Sequence, residues 1–166
     1  MKIKIYTDGA CSGNPGNGGW ASVVTVYERD KTCVLDRLTG GEKNTTNNRM
    51  ELVAVIQSLS HILKCTMDER LSKGDDTFEI YSDSAYVINA IKNRWIEKWM
   101  GNGWKTKSKT DVKNRELWEN FIYVRSCLKE KNIKVKFIKV KGHNGVEFNE
   151  MADKLARREV LNLEVE

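Results

Sequence analysis

Lys2-Ile3-Lys4-Ile5-Tyr6-Thr7-Asp8-Gly9, residues 2–9, alternates polar and apolar side chains and then meets a glycine. A period of two is the pattern of a β-strand, with Ile3 and Ile5 on one face and Lys4, Tyr6 and Asp8 on the other. It predicts a strand over 2–8 that ends at Asp8, with Gly9 turning the chain. Next comes Gly13-Asn14-Pro15-Gly16-Asn17-Gly18-Gly19, which reads as a loop. Residues 20–27 and 32–39 are then β-branched and aromatic runs separated by the charged turn Glu28-Arg29-Asp30-Lys31. Three strands in an antiparallel meander follow from this order.

From Thr46 the period lengthens to 3.6. Leu52, Val55, Ile56, Leu59, Ile62 and Leu63 form one apolar stripe, and Thr46 suits the N-cap of that helix, which places Glu51 in its first turns. Residues 65–76 are polar and contain Gly74, as at a helix end followed by a loop. A short strand over 77–82 then runs into Asp83. Helical segments are expected over 85–91 and 95–100, a polar loop over 101–110, and a longer helix over 112–130 that buries Leu117, Phe121, Val124 and Leu128. A last strand over 134–140 leads through Gly142-His143-Asn144-Gly145 into a helix from 146 to about 160, with Phe148, Met151, Ala152 and Leu155 inward. A meander followed by alternating strands and helices implies an α/β fold, a mixed sheet with helices on its faces. Ligands of such sheets bind at the carboxyl ends of strands, where Asp8 and Asp83 would meet if their strands are neighbours.

The chain has 166 residues, 40% of them hydrophobic, which suits one domain over 1–166 with a real core. The alternating start is not a hydrophobic leader, and no run approaches the ~18 apolar residues of a membrane span. A soluble, cytoplasmic protein without membrane contact is expected. Cys11, Cys33, Cys65 and Cys127 have no CxxC spacing and read as buried or half-buried reduced thiols without a role. His61 reads as structural. The charge is uneven: residues 92–113 hold seven basic side chains against two acidic ones, a local excess equal to the net +5 of the whole chain. The same segment holds Trp95, Trp99 and Trp104, and basic charge interleaved with aromatic rings suits a nucleic-acid backbone. Two tryptophans one turn apart would also suit simple inward packing.

Four acidic residues stand in local patterns rather than in charged surface runs: Asp8 in Thr7-Asp8-Gly9, Glu51 in Asn48-Arg49-Met50-Glu51-Leu52, Asp83 in Ser82-Asp83-Ser84, and Asp153 in Asn149-Glu150-Met151-Ala152-Asp153. Brought together, their repulsion would raise their pKa values unless divalent cations neutralised them. Taken singly, each has a plainer reading. Asp8 and Asp83 could be turn formers, Glu51 a favourable charge near a helix N-terminus, and Asp153 the partner of Arg157 one turn on. The glycine-rich loop lacks G-x-G-x-x-G spacing and precedes a strand, so it is not a dinucleotide fingerprint. A close-approaching backbone beside Asn14 suits ribose contact better. Asn14, Asn47 and Asn48 can both donate and accept, as reading a 2′-hydroxyl requires, although any one of them could be only a turn or cap residue.

Five blocks in order resemble the type 1 ribonuclease H family. They are Tyr6-Thr7-Asp8-Gly9-Ala10-Cys11-Ser12-Gly13-Asn14-Pro15-Gly16, Thr45-Thr46-Asn47-Asn48-Arg49-Met50-Glu51-Leu52, Ser82-Asp83-Ser84-Ala85-Tyr86-Val87, Gly103-Trp104-Lys105-Thr106, and Val140-Lys141-Gly142-His143 followed by Asn149 and Asp153. The resemblance implies a five-stranded mixed sheet whose first three strands are antiparallel, with helices on both faces. It also implies an endonuclease that hydrolyses the RNA strand of RNA/DNA hybrids and leaves 5′-phosphate and 3′-hydroxyl ends.

By the same resemblance, Asp8, Glu51, Asp83 and Asp153 would hold two Mg²⁺ ions, or Mn²⁺ in their place, and His143 would assist as a proton carrier without ligating metal. Asn14, Asn47 and Asn48 would contact the RNA strand, and Thr46 with Asn114 a phosphate of the DNA strand. Residues 92–113 would form a basic protrusion in which Trp104, Lys105, Lys107 and Lys109 touch nucleic acid without reading sequence. A monomer is expected. Because the chain starts at its first strand, no separate hybrid-binding domain is expected either. The interval from Glu51 to Asp83 looks about ten residues longer than in bacterial relatives, with the excess in 65–76. A catalytically silent binding module would have lost a carboxylate, and an integrase or resolvase would differ in the protrusion.

Overall fold

The computed structural model describes residues 1–67, 76–141 and 147–165. β1 (Lys2–Gly13), β2 (Gly16–Glu28) and β3 (Lys31–Thr45) make the antiparallel meander, and α1 (Asn47–Met67) leads away from it. β4 (Thr77–Ser82), α2 (Ala85–Lys92), α3 (Trp95–Asn102), α4 (Arg115–Glu130), β5 (Val135–Lys139) and α5 (Glu147–Val165) follow. The five strands lie in the order β3-β2-β1-β4-β5, with β4 parallel to both β1 and β5.

Strand alternation decides which helix covers which face. Ile3, Ile5, Val24, Val26, Phe78 and Ile80 point to one side and bury the α1 stripe of Leu52, Val55, Ile56, Leu59 and Ile62 together with α4. Tyr6, Ala21 and Val23 point to the other side, where Ala152 and Ala156 of α5 pack. α1 starts where the sequence places it: the Arg49 N–H donates to the Thr46 hydroxyl at 3.2 Å, an N-cap bond. Among the described residues no helix is long and apolar enough to cross a membrane. Cys65 is buried with its Sγ 3.5 Å from His61 Nε2, and Cys33 is exposed rather than buried.

Three expectations need correction. β1 does not end at Asp8; it stays paired with β2 from Lys2 opposite Tyr27 as far as Gly13 opposite Gly16, so the turn lies at Asn14 and Pro15. Gly9 marks a close approach, because a Cβ there would stand 2.5 Å from the Glu51 amide nitrogen. α4 begins at Arg115 rather than near Val112. Asn114 has left-handed backbone (φ 60°), and Val112 is tied back by its N–H to the Trp104 carbonyl at 3.0 Å. The α4 stripe also includes Trp118, fully buried, while Leu117 is only half-buried. Finally, α5 continues past Val160 to Val165 and seats its backbone on Gly19, where a Cβ would lie 2.2 Å from the Ala156 carbonyl oxygen.

Two glycines therefore predict opposite effects. Gly19→Ala should destabilise the fold by about 1–3 kcal/mol, because neither backbone can give way. Gly101→Ala, on α3 with nothing within 4 Å of the added Cβ, should stabilise it by about 0.5–1 kcal/mol. Urea unfolding of both variants checks the pair.

Candidate active site

The parallel ladder between β1 and β4 closes with Tyr6 opposite Tyr81. Two residues further along each chain come Asp8 and Asp83, side by side on the α5 face because strand side chains alternate. Asp153, on α5, reaches the same spot and hydrogen-bonds the Asp8 carboxyl. Glu51 arrives from the α1 side, admitted by the missing side chain of Gly9. Carboxylates from β1, α1, α5 and the turn after β4 thus line one cleft, together with Asn47. Among the described residues, no three His, Cys, Asp or Glu side chains are drawn together as a ready-made metal cage. The carboxylates border an open cleft.

Burial and like charge act on two of them. Burial, then the charge of Asp83 and the Asp153 contact, push the Asp8 carboxyl up to about 8, against the N–H of Gly9, which donates to Asp8 Oδ1 at 2.9 Å. Burial pushes Glu51 up to about 7; a hydrogen bond from Ser84 opposes the rise and the Asp83 charge adds to it. Asp153 also makes the ion pair that its spacing allowed, its Oδ2 lying 2.6 Å from Arg157 Nη2. The ion pair expected from the spacing is present, and Asp153 lines the cleft all the same.

Asn14 and Asn47, 33 residues apart in sequence, come together at the cleft edge, the Asn47 N–H donating to Asn14 Oδ1 at 3.3 Å. Asn48 is exposed on the first turn of α1. Thr46 and Asn114 are joined through Arg49, which donates its backbone N–H to the Thr46 hydroxyl and its Nη1 to Asn114 Oδ1 at 3.5 Å. Lys107 and Lys109 are exposed on the turn after α3, and Lys105 is exposed but bonded to Asp111. Trp104 differs from expectation. It is only 8% exposed, with its ring 6.2 Å from Trp99 and the Arg115 guanidinium 5.3 Å from its centre, so it packs the protrusion onto the core instead of offering a stacking surface. His143 lies outside the described residues.

Sequence alone assigns no role to three residues at the site. Ser84 caps α2, accepting from the Val87 N–H at 3.1 Å, as well as bonding Glu51. Asn149 and Glu150 line a recess with Thr7, Asp8, Asp83 and Asp153, and Asn149 Oδ1 is buried there without a partner among the described residues. Their spacing of four and three residues before Asp153 on one helix was the available signal.

Residues 1–161 match the family described as RNase H. A protein from Acetivibrio thermocellus named ribonuclease H is 45% identical over 160 residues, which cover 96% of this chain and 95% of that one. The chain belongs to the ribonuclease H family. It is therefore a nuclease of the hydrolase class. The crystal structure of a type 1 RNase H with the type 2 active-site motif is 26% identical, with a TM-score of 0.75 over 97% of this chain and 72% of the other. A second one, of an RNase H1 in complex with an RNA/DNA hybrid, shares the fold at 23% identity, with a TM-score of 0.68 over 98% and 99%.

This ribonuclease H cleft has a measurable electrostatic cost. A carboxyl raised from its ordinary 3.8 to about 8 keeps its full contribution to stability below about pH 4 and loses it as the pH rises through 8. In chelator-containing buffer, Asp8→Asn should therefore stabilise the protein at pH 8 by on the order of 1–3 kcal/mol, after allowing for solvent at the cleft mouth, and should make no difference near pH 4. Thermal unfolding across that pH range checks it.

Proposed function

We propose that this chain hydrolyses the RNA strand of RNA/DNA hybrids endonucleolytically, with divalent cations held by Asp8, Glu51, Asp83 and Asp153. The observation that carries the reading is the meeting of those carboxylates in one cleft whose rim presents the Asn14–Asn47 pair. The donor set fits hard cations, since it consists of carboxylate oxygens, and the raised Asp8 and Glu51 carboxyls are what a nearby cation would bring down. Once bound, two Mg²⁺ ions, or Mn²⁺ in their place, would supply charge stabilisation at the phosphoryl oxygens and an acidified water.

The protein's own groups do the rest. Asn14, Asn47 and Asn48 would read the ribose 2′-hydroxyl, which separates RNA from DNA. Thr46 and Asn114 would hold a phosphate of the DNA strand, which sets the hybrid's register over the cleft. Lys105, Lys107 and Lys109 would grip the duplex backbone beyond it, as a protrusion of one catalytic domain, without sequence preference. In-line attack of water on phosphorus, with rupture of the bond to the 3′ oxygen, leaves 5′-phosphate and 3′-hydroxyl ends. Asp153, steered by Arg157, faces the reacting group from the α5 side, and His143 would carry a proton away from it.

With Mg²⁺ present, the purified protein should cut RNA in a labelled RNA/DNA duplex while leaving DNA/DNA and single-stranded RNA largely intact. Asp8→Asn and Asp83→Asn should each lower kcat by on the order of 10³-fold. Equal cleavage of all three substrates would refute the 2′-hydroxyl reading, and cleavage of none would refute the nuclease reading for hybrids altogether.

A further inference from the structure

Arg49 occupies an unusual electrostatic position for a cation beside a nucleic-acid site. It sits at the third position of α1, a quarter exposed, with its Nε donating to Glu42 Oε1 at 2.8 Å and its Nη1 donating to the Glu116 carboxylate. Two carboxylates flank one guanidinium, so the cluster offers no net positive charge to a phosphate. What it offers is geometry, because Nη1 also donates to Asn114 Oδ1, and a planar fork bonded on several sides cannot swing.

Asn114 is equally unusual. It stands at the N-cap of α4, where asparagine ordinarily bonds the helix's own free N–H groups, yet its side chain makes no cap bond. Its Nδ2 instead donates to Tyr86 Oη at 3.2 Å, and that hydroxyl also accepts the indole N–H of the fully buried Trp118 at 3.0 Å. The amide is thus held between a donor from α1 and a hydroxyl anchored in the core. This orientation leaves one Nδ2 hydrogen for an outside acceptor. Forgoing the cap bond costs about 1 kcal/mol, and without Arg49 only the Tyr86 hydroxyl would hold the side chain off its own helix.

We propose that Arg49 is a positioning residue: neutralised by Glu42 and Glu116, it holds Asn114 off its helix cap and so keeps Thr46 and Asn114 set as one phosphate-binding pair for the DNA strand. Its backbone N–H fixes the Thr46 hydroxyl and its side chain fixes the Asn114 amide, so a single residue sets both halves of the pair. The proposal rests on the hybrid-cleaving reading above and adds to it the residue that shapes the DNA-strand contact.

The test uses hybrids whose DNA strand carries one uncharged methylphosphonate linkage, stepped phosphate by phosphate away from the cut. kcat and KM are measured for the wild type, Arg49→Ala and Arg49→Lys. For the wild type, one position should raise KM about tenfold or more, the worth of a charge-assisted hydrogen bond. Arg49→Ala should raise KM by a similar factor on the unmodified hybrid, with kcat within about threefold, and the methylphosphonate at that position should cost it nothing further. Arg49→Lys, which keeps the charge and the stem, should behave like Arg49→Ala, because one ammonium cannot span Glu42, Glu116 and Asn114. It also keeps the test open if the alanine variant fails to fold. The proposal is overturned if either variant keeps the full wild-type sensitivity at that position, if Arg49→Lys restores wild-type KM, or if the wild type shows no sensitive position. A wild type that cleaves no unmodified hybrid would instead bring down the underlying functional reading.

Discussion

Like charges do not gather by themselves, so the backbone has to force these four carboxylates together. The parallel register of β1 against β4, Tyr6 opposite Tyr81, puts Asp8 beside Asp83 just past the end of the ladder. That register is secured well away from the charges, by Ile3 and Ile5 packed with Phe78, Ile80 and the α1 stripe. Gly9 then lets α1 approach until Glu51 joins, and α5, seated on Gly19, supplies Asp153. The apolar core holds in place an arrangement that its own electrostatics disfavours: burial above all, with the Asp83 charge adding to it, pushes the Asp8 and Glu51 carboxyls up. A site that is destabilising until a counter-charge arrives is suited to recruiting cations.

Much of this can be read from residue order, because period-two and period-3.6 patterns identify strands and helices and the four acids stand at pattern ends. The meander, α1 with its Thr46 cap, and β4 ending just before Asp83 all emerge from such local rules. Where reading fails, the cause lies in contacts between distant segments. Gly9 looks like a turn because glycine usually punctuates; only the position of α1 shows that the missing Cβ makes room for Glu51. The start of α4 slips by three residues because Asn114 takes left-handed backbone, which asparagine tolerates but does not announce. Trp104 stands among lysines in sequence but is turned inward by its bond to Val112 and by the ring of Trp99.

The two cationic features of the surface work differently. Lys107 and Lys109 are exposed on flexible stems, where their value is long-range attraction that salt weakens. Arg49 and Arg157 are committed to carboxylates at short range and contribute orientation instead of net charge. Removing a lysine and removing an arginine from this protein are therefore different experiments, the first changing the long-range field and the second local orientation.

Carboxylates that the fold sets around one cleft should draw cations to that place. Titration of the ¹⁵N-labelled protein with Mg²⁺, followed by amide shifts, tests that claim without reference to any substrate. Saturable shifts concentrated at Asp8, Gly9, Glu51, Asp83, Ser84 and Asp153, and lost in Asp83→Asn, are the predicted result. Shifts scattered over the surface acids, or an unchanged pattern in Asp83→Asn, would contradict it.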